Sequence, residues 1–301
     1  MLKISRALKN ERLMKALTGM SIEEFKALEP IFNEIMYEHF NNKPRQRAVG
    51  AGRKGALVNY SGKLFYILFY LKAYPTYDVA GFIFGADRSQ CCVWTQDYLP
   101  LLEKTLGRTI QLPKRKIRSV EEFFDAFPEC KDLFADGTER RAQRPRKAKN
   151  QKKLYSGKKK TYTRKNIIVC DEKRRILLVS PTKGGRVHDI KQFKKWQLGE
   201  SIPKEVALWG DKGFTGVGQS LRHNGPAVTP HKKPRGKEMS QEQSQDNKVI
   251  SGLRMVVEHA IGGIKRYGSM SNIYRNKKGQ DDQMILICAG LWNFHLQCAT
   301  N

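Results

Sequence analysis

The sequence lacks any CxxC pair and any histidine-rich segment that could partner its six cysteines, which stand at 91, 92, 130, 170, 288 and 298. The common structural zinc frameworks are therefore not expected, and the irregular spacing fits a reduced, intracellular chain better than a disulfide scaffold. Long apolar runs are also missing. The longest, Leu64–Leu71, falls far short of the ~20 residues a bilayer span needs, and charged residues interrupt the N-terminus before a secretory core could form. No membrane partner is expected, and the expected location is the cytoplasm. Acid is scarce: 29 Asp and Glu face 56 Lys and Arg, a formal charge of +27. Such a surface calls for a polyanion, though ribosomal, chromatin and membrane-surface proteins are basic too, so charge alone does not name it.

What is present divides the 301 residues into two expected domains, a helical one over 1–125 and an α/β one over 126–301. Ser21 followed by Glu23 and Glu24 makes a capping signal ahead of Phe25, Leu28 and Ile31, and a basic Pro- and Gly-containing arm follows over Lys43–Lys54. Helices are then expected over Ser61–Tyr74, Tyr77–Phe84 and Asp87–Leu106, with Gly85 and Ala86 left for a tight turn. A short helix, a tight turn and a longer helix, within about 61–110, match the plan by which a helix docks in the major groove of duplex DNA. Arg88, Ser89, Gln90 and Gln96 would then face the bases. An ordinary helical hairpin with solvated polar residues fits the same segment; the charge tilts the reading toward DNA.

From Asp132 onward the pattern changes to strands. Leu133–Ala135 runs into Asp136, Asn166–Cys170 and Ile176–Ser180 follow, and Val206–Trp209 runs into Gly210 and Asp211. Short apolar runs of this kind suit a mixed sheet buried on both faces, with helices over His188–Trp196, Gly218–Asn224 and Asn247–Tyr267. Between the first two strands, Arg140–Lys165 contains no acid at all. Its Lys158, Lys159, Lys160, Arg164 and Lys165, interleaved with Tyr155 and Tyr162, read as phosphate contacts, or as a solvated loop.

Three acids stand where acids are costly unless used. Asp136 and Asp211 end apolar strands, and Glu258 lies within the helical pattern LRMVVEHAIGGIKRY. Two carboxylates at strand ends and one from a helix can converge on two hard divalent ions that assist phosphodiester hydrolysis. On a helical wheel Leu253, Val256, Val257, Ala260 and Ile264 form the apolar face. Arg254, Glu258 and Lys265 fall within about 40° of one another beside it, which puts the acid at the rim of the core and the two cations where they can grip phosphate. Arg254 and Glu258 also fit a plain i, i+4 pair. His188-Asp189, after Gly184-Gly185-Arg186, fits either a site motif or an ordinary helix cap.

Taken together, DGTE at Asp136–Glu139, YSGKKKTYTRK at Tyr155–Lys165, GGRVHD at Gly184–Asp189, GDKGFTG at Gly210–Gly216 and RMVVEHAIGGIK at Arg254–Lys265 resemble the DDE transposases of the bacterial insertion-sequence-five superfamily. The likeness spans most of the chain. It implies a ribonuclease-H-like fold from about 130 onward, preceded by a helix-turn-helix domain that recognises the terminal inverted repeats. It further implies a metal-binding triad of Asp136, Asp211 and Glu258 with two Mg²⁺ or Mn²⁺ ions, and Arg254 and Lys265 as the signature's basic residues. Related sequences often place Tyr three residues before that Arg; here the position is Ser251. Only 47 positions separate Asp211 from Glu258, so the core is expected to carry no large insertion.

The implied partners are double-stranded DNA, as element end and as target, and a second copy of the chain, since two ends must be paired; the nucleoid is the implied location when bound. The implied reaction is attack of water on a phosphodiester at the element end, after which the released 3′-hydroxyl attacks target DNA. A two-metal nuclease without strand transfer uses the same carboxylates, and a domesticated DNA-binding protein or regulator would keep the shape without the chemistry.

Overall fold

The computed structural model describes residues 4–41, 55–221, 225–233, 236, 238–276 and 279–300. The basic arm Lys43–Lys54 lies outside the described residues, as do 222–224 at the end of the helix expected over Gly218–Asn224. In chain order the helices before the sheet are α1 (Ile4–Ala7), α2 (Glu11–Thr18), α3 (Ile22–Asn41), α4 (Tyr60–Ala73), α5 (Tyr77–Phe84), α6 (Arg88–Thr109) and α7 (Val120–Ala126). Then come β1 (Asp132–Arg141), α8 (Ala148–Leu154), β2 (Tyr155–Ser156), β3 (Thr161–Cys170), β4 (Ile176–Val179), β5 (Lys183–Gly184), α9 (Asp189–Trp196), β6 (Ala207–Gly210) and β7 (Ala227–Val228). The chain closes with α10 (Gln241–Lys265), α11 (Gly268–Ser271) and α12 (Asp281–Thr300). Among the described residues no helix is long and apolar enough to cross a membrane.

Two compact units result. The first comprises the described residues of Met1–Leu112, Ile264–Asn272 and Lys278–Asn301. Its α3 begins with a reciprocal capping box: the Glu24 amide donates to Ser21 Oγ at 3.0 Å and the Ser21 amide to Glu24 Oε2 at 2.7 Å. Tyr66 of α4 ties the next helices together. Its ring meets Phe84 of α5 and Trp94 and Tyr98 of α6 edge-on, and its hydroxyl donates to the Cys91 carbonyl at 2.8 Å. The C-terminal helix α12, which the sequence reading did not anticipate, packs with α6 in this unit. It is buried from Met284 to Leu291, so its pattern shows no polar stripe to mark it as a surface helix.

The second unit comprises Pro113–Gly263 and the described residues of Ile273–Lys277. It is a mixed sheet flanked by helices, in the order β2-β3-β1-β6-β7 with β4 and β5 also paired to β3. β1 and β3 run antiparallel, as do β3 and β4, whereas β1–β6 and β6–β7 are parallel. A mixed sheet flanked by helices is what the sequence reading expects of this part of the chain. Leu133–Ala135, Ile167–Cys170 and Ile176–Val179 are buried at consecutive positions, which requires cover on both faces of the sheet. One cover is a core of Phe123, Phe193, Trp196 and Phe214 against Leu133, Ala135, Ile167 and Val169.

The stretch Arg140–Lys165 is more ordered than a loop. β1 and β3 continue through it, with Arg140 opposite Arg164 and Arg141 opposite Thr163. Like charges directly across a ladder repel. Here Tyr274 offsets the repulsion, with the two guanidinium groups 4.3 and 4.8 Å from its ring centroid.

Candidate active site and DNA interface

The parallel register pairs Ala135 with Gly210, so Asp136, midway along β1 and opposite Ile168 of β3, stands beside Asp211, which follows the end of β6. Asp136 Oδ1 accepts from the Gly137 amide at 2.7 Å. Asp211 caps the following 3-10 turn, its Oδ1 accepting from the Gly213 amide at 2.7 Å. Burial, and next the charge of Asp211, push the Asp136 carboxyl up to about 6, against the partly compensating charge of Arg254.

A third carboxylate joins these two. Asp189, the first residue of α9, is so close that a Cβ on Gly137 would lie 2.6 Å from its Oδ1 and one on Gly213 would lie 3.0 Å from its Oδ2. The glycines of DGT and GDKG make room for it. Lys165 Nζ lies 3.0 Å from Asp189 Oδ1 and 3.3 Å from Glu139 Oε1, and donates to the Val187 carbonyl at 3.0 Å. Burial would raise the Glu139 carboxyl, but hydrogen bonds from Thr163 and Ser156 and the charge of Lys165 hold it below the ordinary range. His188 is the N-cap of α9 without a side-chain capping bond, so the capping reading does not account for its side chain, whereas Asp189 stands in the first turn, where an acid suits the helix dipole. Asp189 and Glu139 were not among the site residues read from the sequence. The signal for Asp189 was present in VHD; for Glu139 it was only adjacency to Asp136.

Arg254 comes to this cluster and Glu258 does not. The row Ile250, Val257, Ile261 and Ile264 is buried on α10, and Arg254 sits in that row between the first two. Its Nη2 reaches Asp136 Oδ2 at 3.5 Å rather than pairing with Glu258, while its buried Nε meets no hydrogen-bond partner. Leu253, expected on the apolar face, is 40% exposed. Glu258 is exposed one turn further on and makes no ion pair among the described residues. Lys265 ends the helix and belongs to the first unit.

Among the described residues no group of three or more His, Cys, Asp or Glu is arranged to hold a metal ion. The donor chemistry of this pair nevertheless fits a hard divalent cation: Asp136 and Asp211 are neighbouring carboxylates, and burial together with the charge of Asp211 already raises Asp136.

Of the residues expected to touch DNA, Arg88, Ser89 and Gln90 are exposed at the start of α6. The turn before them is tight. Gly85 has φ 68°, the Ala86 amide donates to the Gly81 carbonyl at 2.9 Å, and a Cβ on Gly81 would lie 2.4 Å from the Ala86 carbonyl oxygen. Gln96 is half-buried, with its amide 3.1 Å from Cys92 Sγ. Lys158, Lys159 and Lys160 are exposed on the turn between β2 and β3. Lys165 departs from the expectation: its side chain is only 8% exposed and is committed to two carboxylates.

The model of the DDE superfamily endonucleases matches residues 135–293, and that of the helix-turn-helix of the same superfamily matches 56–108. The chain therefore belongs to the DDE superfamily endonucleases, and its helical unit carries their helix-turn-helix. A relative described as a probable transposase for insertion sequence element IS702 of Microchaete diplosiphon is 27% identical over 285 residues, covering 95% of each chain. No solved structure matches the chain.

Proposed function

We propose that the chain is a DNA transposase that binds the terminal inverted repeats of an insertion sequence and carries out phosphodiester hydrolysis and strand transfer. The observation that carries this reading is the pair Asp136 and Asp211, delivered side by side by two adjacent parallel strands. The likeness to a probable transposase over nearly the full length supports it. Asp136 and Asp211 would hold Mg²⁺ or Mn²⁺; Glu258 of α10, exposed one turn beyond Arg254, would have to turn in toward them to serve as the third ligand. The chemistry such ions supply is activation of a water and neutralisation of the leaving oxygen. Arg254, whose buried Nε lacks an acceptor, is suited to bind a phosphate oxygen beside Asp136. Arg88, Ser89 and Gln90 would read the repeat, and two copies would hold two ends.

The test is cleavage of a labelled duplex carrying the terminal repeat, with Mg²⁺, Mn²⁺ or chelator. Metal-dependent cutting at the repeat boundary, lost in Asp136→Ala, Asp211→Ala and Glu258→Gln, is expected, as are joined products with a target plasmid. Cutting without joining would reduce the reading to a two-metal nuclease; tight binding without cutting under either metal would reduce it to a DNA-binding protein.

A further inference from the structure

A cleft of about 1430 Å³ opens beside Asp211 within the second unit. It exceeds the ~300–1,000 Å³ of an ordinary small-ligand pocket, and its lining alternates two kinds of chemistry. Lys158, Arg186, Lys212 and Lys232 are exposed around it, and none makes an ion pair among the described residues. Tyr155 and Tyr162 contribute rings, with centroids 5.8 Å apart at 72°, and Tyr155 is 42% exposed. The acids of the lining other than Asp211, namely Glu139 and Asp189, are already matched by Lys165.

An aromatic ring can stack only on a base that has an open face. In a duplex both faces of an internal base are covered by its neighbours, so exposed tyrosines ringed by lysine and arginine select unpaired nucleotides. The backbone around the cleft is shaped for close approach as well. A Cβ on Gly185, which also lines it, would lie 1.9 Å from Thr163 Oγ1, so only glycine leaves the β2–β3 hairpin seated there.

We infer that this cleft takes unpaired nucleotides next to the scissile phosphate, one base stacking on Tyr155 and the phosphates lying on Lys158, Arg186 and Lys212. The inference rests on the transposase reading and adds to it that the element end is locally melted when it is bound for cutting.

The test uses the full-length protein and a short oligothymidylate carrying one 5-iododeoxyuridine, which crosslinks on irradiation to an aromatic ring stacked on it. Crosslinks mapped by mass spectrometry to Tyr155 or Tyr162 are expected. Affinity for the same strand is expected to fall about tenfold in Tyr155→Ala and to be retained in Tyr155→Phe. Crosslinks confined to α6 or absent from both tyrosines, or unchanged affinity in Tyr155→Ala, would overturn the inference. Asp136→Ala should crosslink as the native protein does, so loss of the cleft assignment and loss of the cleavage assignment are read on separate measurements.

Discussion

At the scale of single residues, the site is defined by which charges are compensated. Asp136 is pushed up from 3.8 to about 6 by burial and by Asp211. A carboxyl whose folded-state pKa is raised holds its proton more tightly folded than unfolded, so stability falls as pH rises from about 4 to about 6 and is flat above; two units correspond to roughly 3 kcal/mol. In chelator, the difference between native and Asp136→Asn urea-unfolding free energies should trace that slope, and a pH-independent difference would refute the assignment. Lys165 is the opposite case, a cation shared by two carboxylates and nearly fully buried. Removing it leaves Glu139 and Asp189 without their counter-charge, and Lys165→Met is expected to cost about 3–5 kcal/mol in chemical denaturation, as breaking a buried pair does. A loss under about 1 kcal/mol would mean that the carboxylates find other partners.

At the scale of elements, the helix-turn-helix depends on one backbone contact. Gly81 of α5 lies against the Ala86 carbonyl, and because the neighbour is backbone it cannot swing away from an added methyl. Gly81→Ala is therefore expected to destabilise the protein by about 1–3 kcal/mol, in the range of overpacked sites. It should also weaken binding to the terminal repeat, measured by anisotropy beside a circular-dichroism melt. Arg88→Ala separates the two effects: the side chain is exposed, so the melt should hold within about 0.5 kcal/mol while binding falls. α4 to α6 were legible in sequence as helical runs broken by the Gly85-Ala86 turn; the side-chain caps Asn59 and Thr76 are seen only in the structure. β1, β3, β4 and β6 were legible as short apolar runs bounded by polar residues. α12 was not, because a helix buried on nearly every side carries no period, and neither were the strand extensions into Arg140–Lys165, where pairing and Tyr274 override a composition that reads as loop. Asp136, Asp211 and Glu258 were read as acids embedded in apolar segments, and Arg254 as a cation beside the apolar face of the last. That Arg254 enters the site while Glu258 stays exposed depends on which row of α10 is buried, and a wheel drawn from Leu253 misplaces that row by the width of one side chain.

At the scale of the whole molecule, a formal charge of +27 disfavours the compact state through self-repulsion and is offset when phosphates displace counterions. Each phosphate neutralised should contribute about −0.9 to the slope of log affinity against log salt on duplex DNA. Only exposed, unpaired cations can make that contribution, and the structure separates these from the rest of the basic composition. Lys158, Lys159 and Lys160 are exposed on one turn, whereas Lys165, five residues beyond the last of them, is spent inside the protein. Replacing the three exposed lysines together with glutamine should therefore flatten the slope by about 2.7 if each holds one phosphate. Because the replacement also removes like charge from a strongly basic surface, the unfolding midpoint should stay level or rise. A slope unchanged in the triple variant would place the DNA path away from the β2–β3 turn. A slope flattened together with a lowered midpoint would mean that these lysines support the fold, as Lys165 does, and that the turn is not a phosphate-binding face.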